Sequence, residues 1–279
     1  MNTLSEHSPS LVQWVNTLWG RRDLLYQLVK RDVAGRYRGS ALGLLWTILN
    51  PLFLLTVYTF VFTVVFKARW GALPLSSTQD TGMFAVILFS GLMLHMLMAE
   101  CLVRAPSIIL QNENFVKKVI FPLELFPVMV LLSSLFHQAM YVLILLGSVF
   151  AITGHIQPTI FYLPLLWMPF WLLLLGLTYI VASLGVFLRD IGQIMQLFIT
   201  VLLFVSPVFY PIESLPLQFQ HWMLLNPLTF VIEQTRDVLL WGREPQWNLL
   251  AVFTGVSLLI LMLGVFWFQR TRKGFADVL

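Results

Sequence analysis

Charged residues are scarce in this chain. Asp, Glu, Lys and Arg make up 11% of its 279 residues, whereas hydrophobic residues make up 58%. Soluble domains carry about 25% charged residues. A chain of this length cannot bury so much apolar surface in one water-soluble core, so the excess must face lipid. We therefore predict a polytopic membrane protein with an all-α fold.

Several familiar sequence features are missing. Cysteine occurs once, as Cys101, which excludes an internal disulfide bond. The polar start, MNTLSEHSPS, lacks the basic and apolar regions of a cleaved signal peptide, so we expect the first span to insert the chain. No G-x-x-x-x-G-K-[ST] motif is present, which excludes nucleotide binding through a P-loop.

Metal-binding and catalytic patterns are lacking as well. No carboxylates and histidines cluster with metal-ligand spacing, and His95 and His137 each stand alone in a predicted span. Packing or hydrogen bonding is a more common role for such a histidine than metal ligation. We therefore expect no enzymatic activity and no metal or cofactor in this chain.

Long apolar segments are what the sequence has instead. A membrane-spanning helix needs about 20 apolar residues. Six segments are long enough, at 39–66, 81–104, 125–154, 156–188, 191–212 and 245–269. Six spans place both chain termini on the same side of the membrane, and the distribution of basic residues identifies that side.

Basic residues concentrate in cytoplasmic segments of membrane proteins. With both termini inside, 13 of the 17 Lys and Arg residues are cytoplasmic, and the outer segments hold the other 4, namely Lys67, Arg69, Arg236 and Arg243. The sequence therefore predicts that both termini are cytoplasmic.

Two segments outside the spans have helical patterns. Residues 10–38 carry an apolar and a basic helical face, which is typical of an amphipathic helix in the cytoplasmic interface; a soluble surface helix is the alternative. Residues 213–244, on the outer side, include Glu233, Arg236 and Asp237 and make a poor span. An amphipathic or re-entrant helix pair fits this second segment better.

Charged residues within the predicted spans are rare. The clear candidate is Glu100, which lies four residues before Arg104, at the spacing of a helical ion pair. An intramembrane charge is a functional hypothesis by default. Anchoring of a helix end by an interfacial ion pair is the more common role for such residues and is the favoured interpretation here, with a functional role as the alternative.

Aromatic residues are abundant in the first and fifth spans. Aromatic rings pack against the C–H faces of sugars, so rings along a pathway would suit a moving polymer. Plain helix packing explains any single ring at least as well. The rings in question include Trp46, Tyr58, Phe60, Phe62, Phe66, Phe204, Phe209 and Tyr210.

A polar stretch, QNENFVKK, interrupts the apolar sequence within residues 109–121. It is long enough for a short helix, which Pro122 would end. Its mixture of polar residues with Phe115 and Val116 suits a surface that docks into another protein. A solvated turn is the alternative.

Several segments together resemble the ABC-2 type polysaccharide export permeases, the membrane subunits that export lipid-linked O-antigen and wall teichoic acid. They are LVKRDVAGRYRGSALGLLWTILNPL, NENFVKKVIFPLE, FLRDIGQI, SPVFYPIESLP, LNPLT with RDVLL, and RKGFADVL. The resemblance covers nearly the whole chain, in order, and is stronger to the O-antigen branch than to the capsule branch.

The resemblance implies a homodimer of six-helix subunits in the bacterial inner membrane, bound to two separate ATPase subunits that hold ATP and magnesium. It also implies roles for particular segments. The ATPase-coupling residues would be Gln111, Asn112, Glu113, Asn114, Phe115, Val116, Lys117, Lys118, Arg189 and Asp190. The channel wall would include Trp46, Tyr58, Phe62, Phe204 and Tyr210. The periplasmic gate would include Pro211, Ile212, Asn226, Pro227, Arg236 and Asp237.

The expected substrate is an undecaprenyl-pyrophosphate-linked polysaccharide, and Arg36 and Arg38 are candidates for its pyrophosphate because arginine suits phosphate. Positive-inside anchoring explains the same two arginines. Alternative functions are export of teichoic acid or capsule polymer, export of a drug by the same fold, and a lipid-modifying membrane enzyme. No nucleic-acid partner is expected.

Overall fold

The computed structural model describes residues 11–65, 78–117, 121–223 and 225–279. Within these ranges the chain is helical and contains no strand, which confirms the all-α prediction. The α-helices are α1 (Leu11–Gly20), α2 (Arg22–Arg36), α3 (Trp46–Phe60), α4 (Thr78–Ile108), α5 (Glu113–Lys117), α6 (Leu125–Thr153), α7 (Leu163–Phe187), α8 (Ile191–Val205), α9 (Leu217–Met223), α10 (Pro227–Leu239), α11 (Trp247–Thr271) and α12 (Phe275–Val278).

Five helical segments are long and apolar enough to cross a membrane: Gly43–Val65, Thr81–Ile108, Leu125–Thr153, Pro158–Phe187 and Trp247–Val278. They correspond to five of the six predicted spans. The sixth, 191–212, forms only the 15-residue helix α8. At 1.5 Å per residue α8 is about 22 Å long, short of the roughly 30 Å hydrocarbon core. The count of six spans therefore stays a prediction.

Helix α8 ends early for a local reason. Ser206, at its C-cap, is extended, and the next residue is Pro207, which has no backbone N–H to continue the helix. The apolar sequence runs on to Ile212, so hydropathy alone does not reveal this end. Residues 206–211 are irregular, and their backbone groups need partners other than a helix.

Helix α4 is the centre of the bundle. It contacts α3, α6, α7, α8 and α10. Of the most apolar part of Thr81–Ile108, 78% of the residues are buried, against 6% for Gly43–Val65. Helix α3 is thus peripheral, and most of its surface is left for lipid or another chain.

Helices α7 and α11 are packed closely because glycine faces glycine. A Cβ atom placed on Gly264 would overlap the carbonyl oxygen of Gly176. A Cβ on Gly176 would lie 2.7 Å from the backbone of Ile260 and Leu261. Small residues that let backbones approach are typical of membrane helix pairs.

One end of the bundle carries both described chain ends, and we call it the terminal end. There Trp14 Nε1 of α1 donates to Tyr179 Oη at 2.8 Å, and Arg272 pairs with Glu124 at 3.0 Å. The rings of Phe187 and Phe275 pack there at 5.8 Å. At the opposite, distal end, Tyr162 packs against Trp247 at 5.5 Å.

The predicted interface helix at 10–38 is two helices rather than one. Helix α1 ends at Gly20, and α2 begins at Arg22. Trp14 is buried, whereas Trp19 and Tyr26 are 71% and 67% exposed. Helix α1 therefore packs on the bundle through Trp14, whereas Trp19 near its end and Tyr26 in α2 stay exposed.

Candidate functional site

Four alternating charges join α2 to α4, and we call them the charge ladder. Arg36 donates to Glu100 at 2.6 Å, and Arg104 Nη2 donates to both Asp32 oxygens at 2.6 and 2.7 Å. Arg104 also lies 3.6 Å from Glu100, which confirms the predicted i, i+4 pair. The stronger contacts, however, are between helices. The charge ladder therefore fixes α2 against the terminal half of α4.

A chain of hydrogen bonds extends the charge ladder to the start of α3. His137 Nδ1 lies 3.0 Å from Glu100, and His137 Nε2 lies 3.0 Å from Tyr37 Oη. Thr47, which is buried, donates to Tyr37 Oη at 2.9 Å. With the proton on Nδ1, His137 donates to Glu100 and accepts from Tyr37, so each of these groups is satisfied. This confirms a hydrogen-bonding role for His137, and His95 likewise lies 3.0 Å from the Ile199 carbonyl oxygen.

The QNENFVKK stretch lies directly after α4. A 3₁₀ turn at Leu110–Asn112 leads into α5, and we call Leu110–Lys117 the docking segment. Gln111, Glu113 and Asn114 are exposed. Lys118 and the side chain of Lys117 lie outside what the structure describes. The exposed face of the described part is therefore polar.

Phe115 faces inwards. Its ring lies 4.7 Å from Phe121 and 6.0 Å from Phe126, and Val116 also packs against the core. These two residues attach the docking segment to the start of α6. The structure thus places the predicted apolar docking contacts, Phe115 and Val116, half-buried against the chain's own core.

The second predicted coupling contact, Arg189 and Asp190, lies in the turn between α7 and α8. Both residues are exposed. The turn is at the terminal end, because Phe187 packs against Phe275 of α12, and α12 contacts α5. The two predicted coupling sites are therefore on the same end of the bundle.

Aromatic rings from α3, from the π-helix Val61–Val65 that continues it, and from α8 meet around Phe209, and we call this group the aromatic cluster. Phe62 stacks on Phe209 at 4.7 Å with an interplanar angle of 11°, while Tyr58 and Phe204 lie at 5.3 and 5.9 Å. Tyr210 Oη donates to the Phe204 carbonyl oxygen at 2.9 Å. Four of the five predicted wall residues thus come together.

The remaining predicted wall residue, Trp46, does not join the aromatic cluster. It lies 12 positions before Tyr58, or about 18 Å along the helix. Trp46 is 48% exposed and Phe204 is 62% exposed, whereas Phe209 is buried. Trp46 is therefore separated, by a long exposed face of α3, from the four predicted wall residues that meet in the aromatic cluster.

Arg236 is the most deeply buried charged residue that the structure describes, at 1% exposure. Its Nη1 donates to the Pro207 carbonyl oxygen at 2.7 Å and to Glu233 at 2.8 Å, and its Nη2 donates to the Val208 carbonyl oxygen at 3.2 Å. Its Nε and Nη2 donate to the Ile87 carbonyl oxygen of α4, at 3.3 and 3.2 Å. The Arg236 guanidinium therefore donates hydrogen bonds to the irregular backbone that follows α8.

Helices α9 and α10 follow one another closely in the chain at this point, and we call this pair of helices the distal hairpin. Asn226 caps α10 by accepting from Leu228 N at 3.0 Å, and its Nδ2 donates to Ser206 at 2.8 Å. Pro227 occupies the first turn of α10, where a missing N–H has no cost. Asn226, at the start of α10, thus lies beside the end of α8.

The other residues predicted for the gate lie before the hairpin, at Pro211 and Ile212, and within α10, at Asp237. Pro211 precedes the 3₁₀ turn at Ile212–Ser214, and Asp237 pairs with the exposed Arg243 at 3.3 Å. The six predicted gate residues therefore belong to one continuous region, and Arg236 and Asn226 provide its contacts to α4 and α8.

The sequence was compared with known proteins. A profile of the ABC-2 type transporter family matches residues 23–240, which is well over half of the chain. The chain belongs to the ABC-2 type transporter family. The predicted resemblance is thereby confirmed.

Individual relatives of this ABC-2 chain agree in length as well. An O-antigen export system permease protein of Myxococcus xanthus is 28% identical over 96% of this chain and 99% of the relative. A permease with the same description from Klebsiella pneumoniae is 25% identical over 92% and 95%. The polysialic acid transport protein KpsM of Escherichia coli is 27% identical over 84% and 88%.

The sequence did not indicate some residues that the structure of this ABC-2 chain places in or near the candidate site. Asp32 and Thr47 complete the polar network from helices distant in sequence, and no local pattern marks them. Gln193 and Gln196 are exposed on α8, among exposed apolar side chains. Two amides one turn apart in an apolar helix were the available signal for these glutamines.

Proposed function

We propose that this chain is the permease subunit of an ATP-driven exporter. Its substrate would be an undecaprenyl-pyrophosphate-linked polysaccharide, lipopolysaccharide O-antigen, which crosses the bacterial inner membrane outwards. The observation that carries the proposal is the match, over nearly the full length, to permeases described as O-antigen export proteins. The missing P-loop supports ATP hydrolysis in a separate subunit.

The docking segment supports an ATPase partner at the terminal end. It presents Gln111, Glu113 and Asn114 to solvent, and the turn at Arg189 and Asp190 is exposed on the same end. The distribution of basic residues favours a cytoplasmic location for this end. Two ATPase copies, each contacting one permease, would then hold the ATP and magnesium.

A channel at a homodimer interface would use the exposed faces of α3 and α8. Phe53 is 69% exposed and Leu197 is 67% exposed. Lipid could cover these apolar side chains, but Gln193 and Gln196 would be costly in lipid. A water-filled lumen satisfies the two amides, and the aromatic cluster would offer rings to a sliding glycan.

A lipid-linked substrate is supported by a groove of about 810 Å³ beside α2. Its wall is largely apolar and includes Val29, Val33 and Leu44, and its rim includes Arg38. Arg36 is paired with Glu100. Two arginines, Arg36 and Arg38, are predicted to bind pyrophosphate. Within the described residues only Arg36 of the two forms an ion pair, so the guanidinium of Arg38 is the one available for the phosphate.

The distal hairpin would act as the gate on the periplasmic side. Its residue Arg236 contacts Ile87, which lies within the segment Thr81–Ile108 that is suited to span the membrane. A hairpin at this depth fits a re-entrant element, since irregular backbone is tolerated there only under a cover of protein.

The deciding experiment is ATP-dependent export of a labelled lipid-linked O-antigen by the chain reconstituted with its ATPase. Reversing the charges of Lys117 and Lys118 to Glu should abolish glycan-stimulated ATP hydrolysis. A matched control, Arg21→Glu with Arg22→Glu, removes the same charge from an exposed position outside the docking segment and should retain most activity. ATP turnover without any export would overturn the proposal.

Capsule polymer is the second candidate substrate, because the chain also matches a polysialic acid transport protein and a capsule polysaccharide export protein. Offering O-antigen and capsule polymer to the same vesicles distinguishes the two. Faster export of the capsule polymer would replace O-antigen as the substrate and leave the transport function unchanged.

A further inference from the structure

The stretch RKGFADVL, residues Arg272–Leu279, packs on the terminal end of the bundle, and we call it the RKGFADVL segment. The proposed function assigns it no role. A 3₁₀ turn at Arg272–Gly274 leads into α12, where the side chain of Phe275 is completely buried. Burial of an aromatic ring contributes strongly to packing. The segment is therefore a fixed part of the bundle.

The RKGFADVL segment lies beside one predicted ATPase contact, the exposed turn at Arg189 and Asp190. The Phe275 ring lies 5.8 Å from the ring of Phe187, the last residue of α7, and 5.5 Å from the ring of Phe268 in α11. Phe187 is two positions before Arg189. Phe275 is therefore part of the packing that holds this turn at the end of α7.

The RKGFADVL segment also reaches the docking segment. By backbone proximity, the main neighbours of α5 are the 3₁₀ turn before it and α12. Arg272 pairs with Glu124 at 3.0 Å, and Glu124 directly precedes α6. Glu124 lies in the chain between Phe121 and Phe126, the two rings that pack against Phe115. The RKGFADVL segment thus contacts the part of the bundle to which the docking segment is attached.

Two hydrogen bonds fix the same junction. Tyr179 donates to the Glu124 carbonyl oxygen at 2.6 Å, and the hydroxyl oxygens of Ser183 and Thr271 lie 2.7 Å apart. They join α7 to the start of α6 and to the end of α11. Closely packed groups transmit a displacement because dense interiors compress little. A force on either predicted ATPase contact is therefore shared with the other.

We propose that the RKGFADVL segment links the two predicted ATPase contacts mechanically, with Phe275 as the positioning residue. The segment keeps the docking segment and the Arg189–Asp190 turn at a constant separation. A movement of the ATPase then reaches α4, α6, α7 and α8 together. Phe275 acts through Phe187 and not through contact with nucleotide or glycan. The inference rests on the proposed function, which supplies the ATPase.

The constant separation is tested on the chain alone, without ATPase or substrate. Spin labels are attached through Gln111→Cys and Arg189→Cys in a Cys101→Ala background, and pulsed electron paramagnetic resonance measures their distance distribution in nanodiscs. Phe275→Ala should broaden a distribution that is otherwise narrow. Phe275→Leu keeps most of the buried apolar volume and should restore the narrow distribution. An unchanged distribution in Phe275→Ala would overturn the inference.

The coupling role is tested in vesicles that contain the chain and its ATPase, as the amount of glycan exported per ATP hydrolysed. Phe275→Ala should lower this ratio roughly 3-fold or more, a typical effect of a change within a packed network. Arg272→Gln keeps every ring and removes only the ion pair to Glu124. It should lower both the ratio and the sharpness of the distance distribution, and it decides the question if Phe275→Ala does not fold.

Leu261→Ala is the matched control, because Leu261 is a buried apolar residue of α11 outside the RKGFADVL segment. It should lower Tm and leave the export ratio at the native value. If Phe275→Ala also keeps the native ratio, the segment is only structural, and the inference is overturned while the proposed function stands. If the native chain neither stimulates its ATPase nor exports glycan, the proposed function fails, and the coupling role fails with it.

Discussion

The buried guanidinium of Arg236 allows a quantitative prediction. Replacing Arg236 with Met keeps the side-chain length but removes every donor. The carbonyl oxygens of Pro207 and Val208 then lose their partners. Each unsatisfied buried group costs about 1–3 kcal/mol. The Glu233 carboxylate loses its charged partner as well.

We expect Arg236→Met to lower the free energy of unfolding by roughly 3–5 kcal/mol, because two carbonyls and one carboxylate lose their partner. The third carbonyl that Arg236 contacts, that of Ile87, still accepts from Ser90. For a chain of this size that corresponds to a fall in Tm on the order of 10 °C. Arg236→Lys should lose roughly half as much, because an ammonium group keeps the charge and three donors.

The assay is thermal unfolding of the purified chain in detergent. Unfolding is monitored through the accessibility of the Cys101 thiol, which is buried in the native bundle. Arg243→Met is the matched control, since Arg243 is 73% exposed at its side chain and has a single carboxylate partner. It should change Tm by less than about 2 °C. If Arg236→Met unfolds at the same temperature as Arg243→Met, Arg236 does not hold the irregular backbone together.

Three further predictions concern packing and the charge ladder. Gly264→Val should destabilise the α7–α11 pair by roughly 3 kcal/mol, because the new side chain overlaps the backbone of Gly176. Gly255→Val is the control and should be nearly neutral, because the space around Gly255 is open. Thermal unfolding compares the two variants. Glu100→Gln should lower the free energy of unfolding by roughly 2–3 kcal/mol. The variant should also release α2 from α4, which limited proteolysis detects as faster cleavage of α2. Tyr37→Phe removes two hydrogen bonds, the one to His137 and the one from Thr47, and should cost roughly 2 kcal/mol in the same unfolding assay.

Hydropathy and charge in the sequence were sufficient to predict five spans, a short helix in the QNENFVKK stretch and the helical character of residues 213–244, whereas the docking role of that stretch stays a prediction. Hydropathy counts side chains, so it could not locate the end of α8, which depends on the backbone of Ser206 and Pro207. The same limit explains Arg236. In the sequence it marks a segment as a poor span, whereas in the structure it bonds to the carbonyl groups that the broken helix leaves free.

The candidate site was predictable only where its partners lie within one helix turn. The pair of Glu100 and Arg104 follows from spacing, but their closer partners, Arg36 and Asp32, are 64 and 72 residues away. No periodicity encodes such contacts. The aromatic cluster shows the same limit, because the sequence nominates rings on two spans but cannot say that Phe209 lies between them.

Helix α4 connects the two polar sites of the molecule. Near the terminal end of α4, Glu100 and Arg104 form ion pairs with α2. Farther along α4, the Ile87 carbonyl oxygen accepts hydrogen bonds from Arg236 of the distal hairpin. The 14 residues from Ile87 to Glu100 span about 20 Å of continuous, mostly buried helix. A packed helix moves as a unit because dense interiors compress little. The docking segment joins α4 through its 3₁₀ turn, so we expect a displacement that passes this turn to move α4 relative to its neighbours or to break one of the two polar sites.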